Sequence, residues 1–182
     1  MKLQRCIFLI PGLVLLAGIM VSCQKDKQAL YAGEFTIDNA LYAYGPYYAI
    51  GFSFEMARKV RTNESPPPDI TVHASTDVQG NVSGAYLDTP NLVASYALAG
   101  DFNTADEAKD FFDELLETGT YTWKLFADNI SQHQVYVFKT YKNNYVKFRI
   151  IKLELKDNEN GAYAEVTIEW RIQADGSNIF SQ

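Results

Sequence analysis

Four side chains in this sequence have the chemistry to hold a ligand or carry a covalent group: Cys23, His73, His133 and Met56. Imidazole and thioether are axial ligands for haem iron, His the commoner and Met second. His73 follows Ile70-Thr71-Val72 at a strand end, and His133 precedes a strand that begins at Val135. Met56 is the single methionine after Cys23. A lone histidine on a strand more often serves as a polar residue at an edge, so the three stand as candidates without an assigned pair. Catalytic chemistry finds little support. With two histidines and no free thiol beyond Cys23, a Ser-His-Asp or Cys-His arrangement has few possible bases. No Gly-x-Ser-x-Gly elbow, phosphate loop, dinucleotide fingerprint or His-Glu-x-x-His occurs. Carboxylates are plentiful, but no spacing selects two as a glycosidase pair. The chain reads as a non-enzyme.

The setting of Cys23 indicates export. Lys2 and Arg5 precede an apolar stretch from Ile7 to about Ile19, and small residues then lead to the cysteine. This is the order of a secretory signal peptide. The apolar stretch is short of the roughly 20 residues a membrane span needs, and Pro11 and Gly12 interrupt it. Met20-Val21-Ser22-Cys23 resembles a bacterial lipobox, whose cysteine is acylated with palmitate-type chains and becomes the mature N-terminus. That resemblance implies a signal peptide over 1–22, a lipidated tether over 23–30 and one domain over 31–182. Gln24-Lys25-Asp26-Lys27 is similar to the short charged tag that sends lipoproteins to the outer face of the outer membrane. Cys6 lies in the removed segment, so the exported part has no thiol pair for a disulfide, and its stability must come from its core. About 160 residues suffice for that. Cysteine-held zinc and iron–sulfur clusters are excluded. Removal of the leader leaves 14 basic against 22 acidic residues, a charge of -8. Such a surface disfavours nucleic acid and anionic membranes as partners.

The elements that would position these residues are mostly strands. Tyr and Phe, at 12 and 11 in the chain, favour pleated, half-buried surfaces. From Ala162 to Gln173 apolar and polar residues alternate over twelve positions, the period of a strand with one face inward. Tyr145 to Leu155 and Val135 to Thr140 read as two more strands. Turns at Tyr141–Asn144 and Asp157–Gly161 join the three as an antiparallel meander. Ala105 to about Glu117 reads as the one amphipathic helix, with Thr104 and Glu107 as a capping box, Ala108, Phe111, Phe112, Leu115 and Leu116 as its apolar stripe, and Gly119 as its stop. Tyr47 to Phe54 and Met56 to Arg61 read as one long strand or two joined by a bend, Thr62 to Asp69 as a proline-stiffened loop. Ile70 to Ala74 and Leu92 to Leu98 read as short strands, with a loop over Asp77–Gly84 that lacks the alternating acidic ligands of a calcium site. The fold class is all-β, an antiparallel meander in a sandwich or distorted barrel, with one short helix.

The stretch Gln134 to Ile151, an aromatic/aliphatic strand ending in Lys139-Thr140, a polar turn at Asn143-Asn144 and then Tyr145-Val146-Lys147-Phe148, resembles the closing strands of the HmuY-like haem-binding lipoproteins. The acidic turn and strand that follow, Tyr163 to Gln173, are similar too. Tyr47 to Phe54, with its Phe52-Ser53-Phe54, resembles the opening aromatic strand of that family. Pro68 to His73 falls where the family has Asp-Trp-Asp before an apolar strand, without the tryptophan. The Gly80/Gly84 loop matches a glycine-bearing loop of the family. The resemblance implies a compact all-β fold and a surface protein that takes haem, or a related porphyrin, from a host carrier to an outer-membrane transporter. It implies two side chains on iron, His in some members and Met in others, one of them on the loop leading into the final strands. In this chain that loop, Phe126 to Gln134, offers His133. His73 corresponds to a family histidine by its place after the apolar strand, and the second ligand stays open among His73 and Met56. The alternative is a surface module that keeps the fold without haem and holds a glycan or protein through exposed Tyr and edge strands.

Overall fold

The computed structural model describes residues 31–45, 48–159 and 161–180. Cys23, the leader and the tether lie outside these residues, as do Tyr47 and Asn160. Ten strands and one helix follow in chain order: β1 (Ala32–Asp38), β2 (Ile50–Ser53), β3 (Arg58–Arg61), β4 (Thr71–Thr76), β5 (Val82–Asp88), β6 (Tyr96–Asp101), α1 (Ala105–Glu114), β7 (Phe126–Ala127), β8 (Gln134–Lys139), β9 (Tyr145–Asn158) and β10 (Gly161–Gln173). The protein is all-β with one short helix. Its main sheet has the order β1-β10-β9-β8-β6, with antiparallel neighbours throughout. A three-stranded sheet β4-β5-β7 and the β2-β3 hairpin pack on one face of it, and α1 covers the other.

Alternation in the meander produces these two faces. Ala164, Val166, Ile168, Trp170 and Ile172 of β10, Val146, Phe148 and Ile150 of β9, and Tyr136 and Phe138 of β8 point into the main core. Val72, Ala85 and Leu87 meet them from β4 and β5, and Phe35 and Ile37 from β1. On the far face Val135 packs under Ala108 and Phe112 of the helix. Strand β8 is therefore covered on both sides, the setting in which a strand reads as a near-continuous apolar run. The two turns close as their residues dictate: Asn143 adopts φ 62° and Gly161 φ 107°, values that Asn and Gly tolerate.

Several boundaries differ from the sequence reading. The helix ends at Glu114 with Leu115 as its C-cap, and Gly119 plays no part in stopping it. Leu116 to Thr118 is instead drawn into pairing with the C-terminal segment: Phe180 N–H donates to Leu116 O and Thr118 N–H to Asn178 O, both at 2.8 Å. Strand β6 begins at Tyr96, because Leu92 turns back at φ 53° with its N–H on Thr89 O. Strand β5 starts inside the stretch read as a loop, and β1 lies in a stretch to which no strand was assigned. The described part of the Tyr47–Arg61 stretch, from Tyr48 on, holds two short strands joined by a bend at Phe54–Ala57. At the other end of α1 the capping box is formed: Glu107 N–H donates to Thr104 Oγ1 and Thr104 N–H to Glu107 Oε2, each at 3.2 Å. Thr104→Ala should cost about 1 kcal/mol in urea unfolding, whereas Thr104→Ser should be close to neutral.

One buried carboxylate stitches the first half together. Gly51 passes so close to the chain before β4 that a Cβ there would lie 2.2 Å from Ile70 O. Phe52 N–H donates to Ile70 O, and Asp69 Oδ2 accepts from Phe54 N–H at 2.8 Å and Ser53 Oγ at 3.2 Å. Burial pushes the Asp69 carboxyl up to about 6, against the lowering effect of those two donors, while neighbouring Glu55 raises it further. The folded protein therefore holds a proton at Asp69 between roughly pH 4 and 6 that the unfolded chain has lost. This stabilisation is complete below pH 4 and disappears as pH rises through 6. The stability of the wild type relative to Asp69→Asn should fall by about 3 kcal/mol between pH 4 and pH 7, measured by urea unfolding across that range; a flat difference contradicts it.

Candidate ligand-binding cleft

His73 and Tyr86 face each other across the β4–β5 ladder, on the side turned away from Val72 and Leu87. Their rings stack, with centroids 5.1 Å apart and planes 17° off parallel. Phe126 meets the edge of Tyr86 from β7, at 6.0 Å. His73 and Tyr86 form one wall of a cleft of about 720 Å³ whose other walls are the tip of the β9–β10 hairpin (Asn158, Ala162, Tyr163) and the chain leaving β1 (Asn39, Ala40, Leu41). That volume lies in the range of small-molecule and cofactor sites.

Short polar ties hold the walls in place. Asn39 continues the β1–β10 ladder with its side chain, donating from Nδ2 to Ala162 O at 2.9 Å and accepting Ala164 N–H on Oδ1 at 3.0 Å. Asp157 Oδ1 accepts Val82 N–H at 2.8 Å, which anchors the hairpin tip to the start of β5. Lys156 places its ammonium 4.5 Å from the centre of the Tyr163 ring and pairs with Glu154 at 3.0 Å.

Thr71 holds the His73 ring from its Nε2 side. Thr71 Oγ1 lies 3.0 Å from His73 Nε2 and donates to the Asp88 carbonyl at 3.5 Å. The shorter contact is the one to the ring, where the hydroxyl and Nε2 share one proton and either atom can be its donor. Burial holds the imidazole below its ordinary pKa, with the Asp88 carboxylate opposing. His73 is thus a neutral imidazole at physiological pH, oriented by a second residue, the state required of a metal ligand.

The other two candidate ligands are elsewhere. His133 sits in the turn before β8 at φ 72°, its N–H on Ile150 O at 3.0 Å and its Nδ1 buried without a partner. Met56 lies in the β2–β3 bend, where its Sδ accepts from Arg58 Nη2 at 3.7 Å. Neither lines the cleft beside His73. Among the described residues no three His, Cys, Asp or Glu side chains gather as a metal site. Asp77 keeps its carboxylate for its own loop, accepting the N–H groups of Gln79 and Asn81. The sequence reading passed over Tyr86, Tyr163 and Asn39. For Tyr86 a signal exists, because Ala85 and Leu87 alternate around it and put it on the outward face.

No family model matches the chain, and no characterised protein matches it at a significant level.

Proposed function

We propose that this chain is an exported, non-catalytic lipoprotein of the HmuY-like type. Lipid on Cys23 anchors it at the outer membrane with the β-sandwich facing outward, and the His73 cleft binds haem or a related porphyrin for delivery to an outer-membrane transporter. One observation carries the reading: His73 lines a cleft of suitable size, about 720 Å³, that neither His133 nor Met56 lines, and it lies against a stacked tyrosine. In this site the His73 imidazole would hold the iron, with the Tyr86 ring stacked against it. Ligation from one side differs from the paired ligands that the family resemblance implies. It suits a carrier that must give up its cargo, since one bond has to break for transfer.

Haem titrated into the full chain in detergent micelles should give a saturable Soret band at one haem per protein, with the spectrum of a five-coordinate, high-spin iron. Empty micelles supply the blank. Absence of a saturable band removes porphyrin as the ligand. The alternative, a surface module that holds a glycan or protein and has no use for iron, is favoured by the failure of His133 and Met56 to join His73.

A further inference from the structure

A second concave site lies at the opposite end of β9. Tyr145 opens that strand and Asn158 closes it, so roughly 40 Å of extended chain separates this site from the His73 cleft. Tyr145 forms a wall of an open groove of about 850 Å³ between Glu117–Thr120 and Gly176–Asn178. Thr118, Thr120, Ser177 and Asn178 supply hydroxyl and amide groups to it, and no aliphatic side chain larger than that of threonine lines it. The pairing of Thr118 with Asn178, by backbone at 2.8 Å, holds the two rims at a fixed spacing. Glu117, the one charged side chain of the lining, is tied to the opposite rim by Asn178 Nδ2 at 3.1 Å, so a ligand's carboxylate belongs at the Lys139 side of Tyr145.

Beside Tyr145, next to the groove lining, stand two more half-buried rings. The Trp123 centroid is 6.2 Å from that of Tyr145 and 6.0 Å from that of Tyr121. Lys139 is the cross-strand partner of Tyr145, and its ammonium lies 4.0 Å from the Trp123 ring centre and 5.6 Å from that of Tyr145. None of the ion pairs among the described residues uses Lys139. In a protein with a surplus of acidic residues, this cation is held by ring faces alone. A carboxylate would bind it with a charge-assisted hydrogen bond stronger than the cation–π contact.

Ring faces beside a hydroxyl- and amide-lined groove match a pyranose, which has one C–H face and a rim of hydroxyls. A protein segment would call for aliphatic lining, and the groove has none. We propose that this groove binds an acidic oligosaccharide, a pyranose chain bearing carboxylates, with a sugar ring against Tyr145 and Trp123 and a carboxylate on Lys139.

The chain has two tryptophans, and Trp170 is only 1% exposed in the core, so quenching by a sugar reports on Trp123. The full chain would be titrated with four probes: tetragalacturonate, tetramannuronate, a hyaluronan hexasaccharide and sialyllactose. Each is paired with its methyl ester as the neutral control. At least one acid should quench Trp123 saturably, its ester should bind at least tenfold more weakly, and Lys139→Gln should weaken the acid at least tenfold while leaving haem binding unchanged. No quenching by any acid, equal binding of acid and ester, or an unaffected Lys139→Gln would each overturn the proposal. The ester comparison uses the wild-type chain, so it remains decisive if the variant folds poorly.

Discussion

Replacing Lys147 by methionine should destabilise the protein by about 3 kcal/mol, although the change removes a buried charge. Lys147 is fully buried on the helix-facing side of β9, where its Nζ donates to Phe112 O at 2.6 Å and Leu115 O at 2.8 Å, with Asp113 O at 3.5 Å. A helix leaves its last carbonyls without intrahelical donors, and α1 has no basic residue in its final turn. The cation that usually complements that end comes here from the sheet. It sits between the rings of Phe112 and Phe180, 5.0 and 5.5 Å from their centres. Burial, helped by the nearby Arg171 guanidinium and opposed by Asp113, brings the amine down to about 8. Between pH 8 and 10.5 the unfolded chain therefore binds more protons than the folded one. The burden of this charge is greatest below pH 8 and lifts as pH rises to 10.5. Methionine removes that burden and also the donors to the helix end. The loss of the donors is expected to dominate, because the carbonyls they satisfy are covered by the sheet. Urea unfolding at pH 7 measures the balance. Wild-type stability in Lys147→Met would mean that burying the ammonium costs as much as the cap contributes.

The second large effect belongs to Phe54. Its ring is 1% exposed and lies 5.5 to 6.2 Å, centre to centre, from Phe35, Phe52, Phe138, Phe148 and Trp170. It thus joins the β2–β3 hairpin to both outer and central strands of the main sheet. Phe54→Ala should cost about 4 kcal/mol through lost transfer energy and the cavity left behind, and Phe54→Leu about 1 kcal/mol. Guanidinium unfolding of the two variants checks this. A loss under 1 kcal/mol for the alanine variant would show that the hairpin is not part of the cooperative core.

Where a segment buries one face only, its sequence announced it. The alternation from Ala162 to Gln173 and the capping box at Thr104 and Glu107 are local signals, and both elements form where those residues place them. Boundaries failed where distant partners decide. Nothing near Leu116 says that Phe180 will take its carbonyl and end the helix early. Strand β5 contains Ser83 and Gly84 and looks like a continued turn until β4 and β7 pair with it. Strand β1 shows Phe35 and Ile37 alternating with Glu34, Thr36 and Asp38, a legible pattern beside the less ordered composition of the tether. The cleft was half legible. His73 could be picked by residue type, while its stacking on Tyr86 depends on the β4–β5 register, which a single sequence does not specify.

If the cleft takes haem as proposed, His73 presents the nitrogen that binds its iron. The most direct measurement is the Soret band of haem titrated into His73→Ala, beside His133→Ala and Met56→Leu, each first shown to unfold at the wild-type denaturant midpoint. Of the three variants, only His73→Ala should lose the band. A wild-type band in His73→Ala, or its loss in His133→Ala, would contradict it.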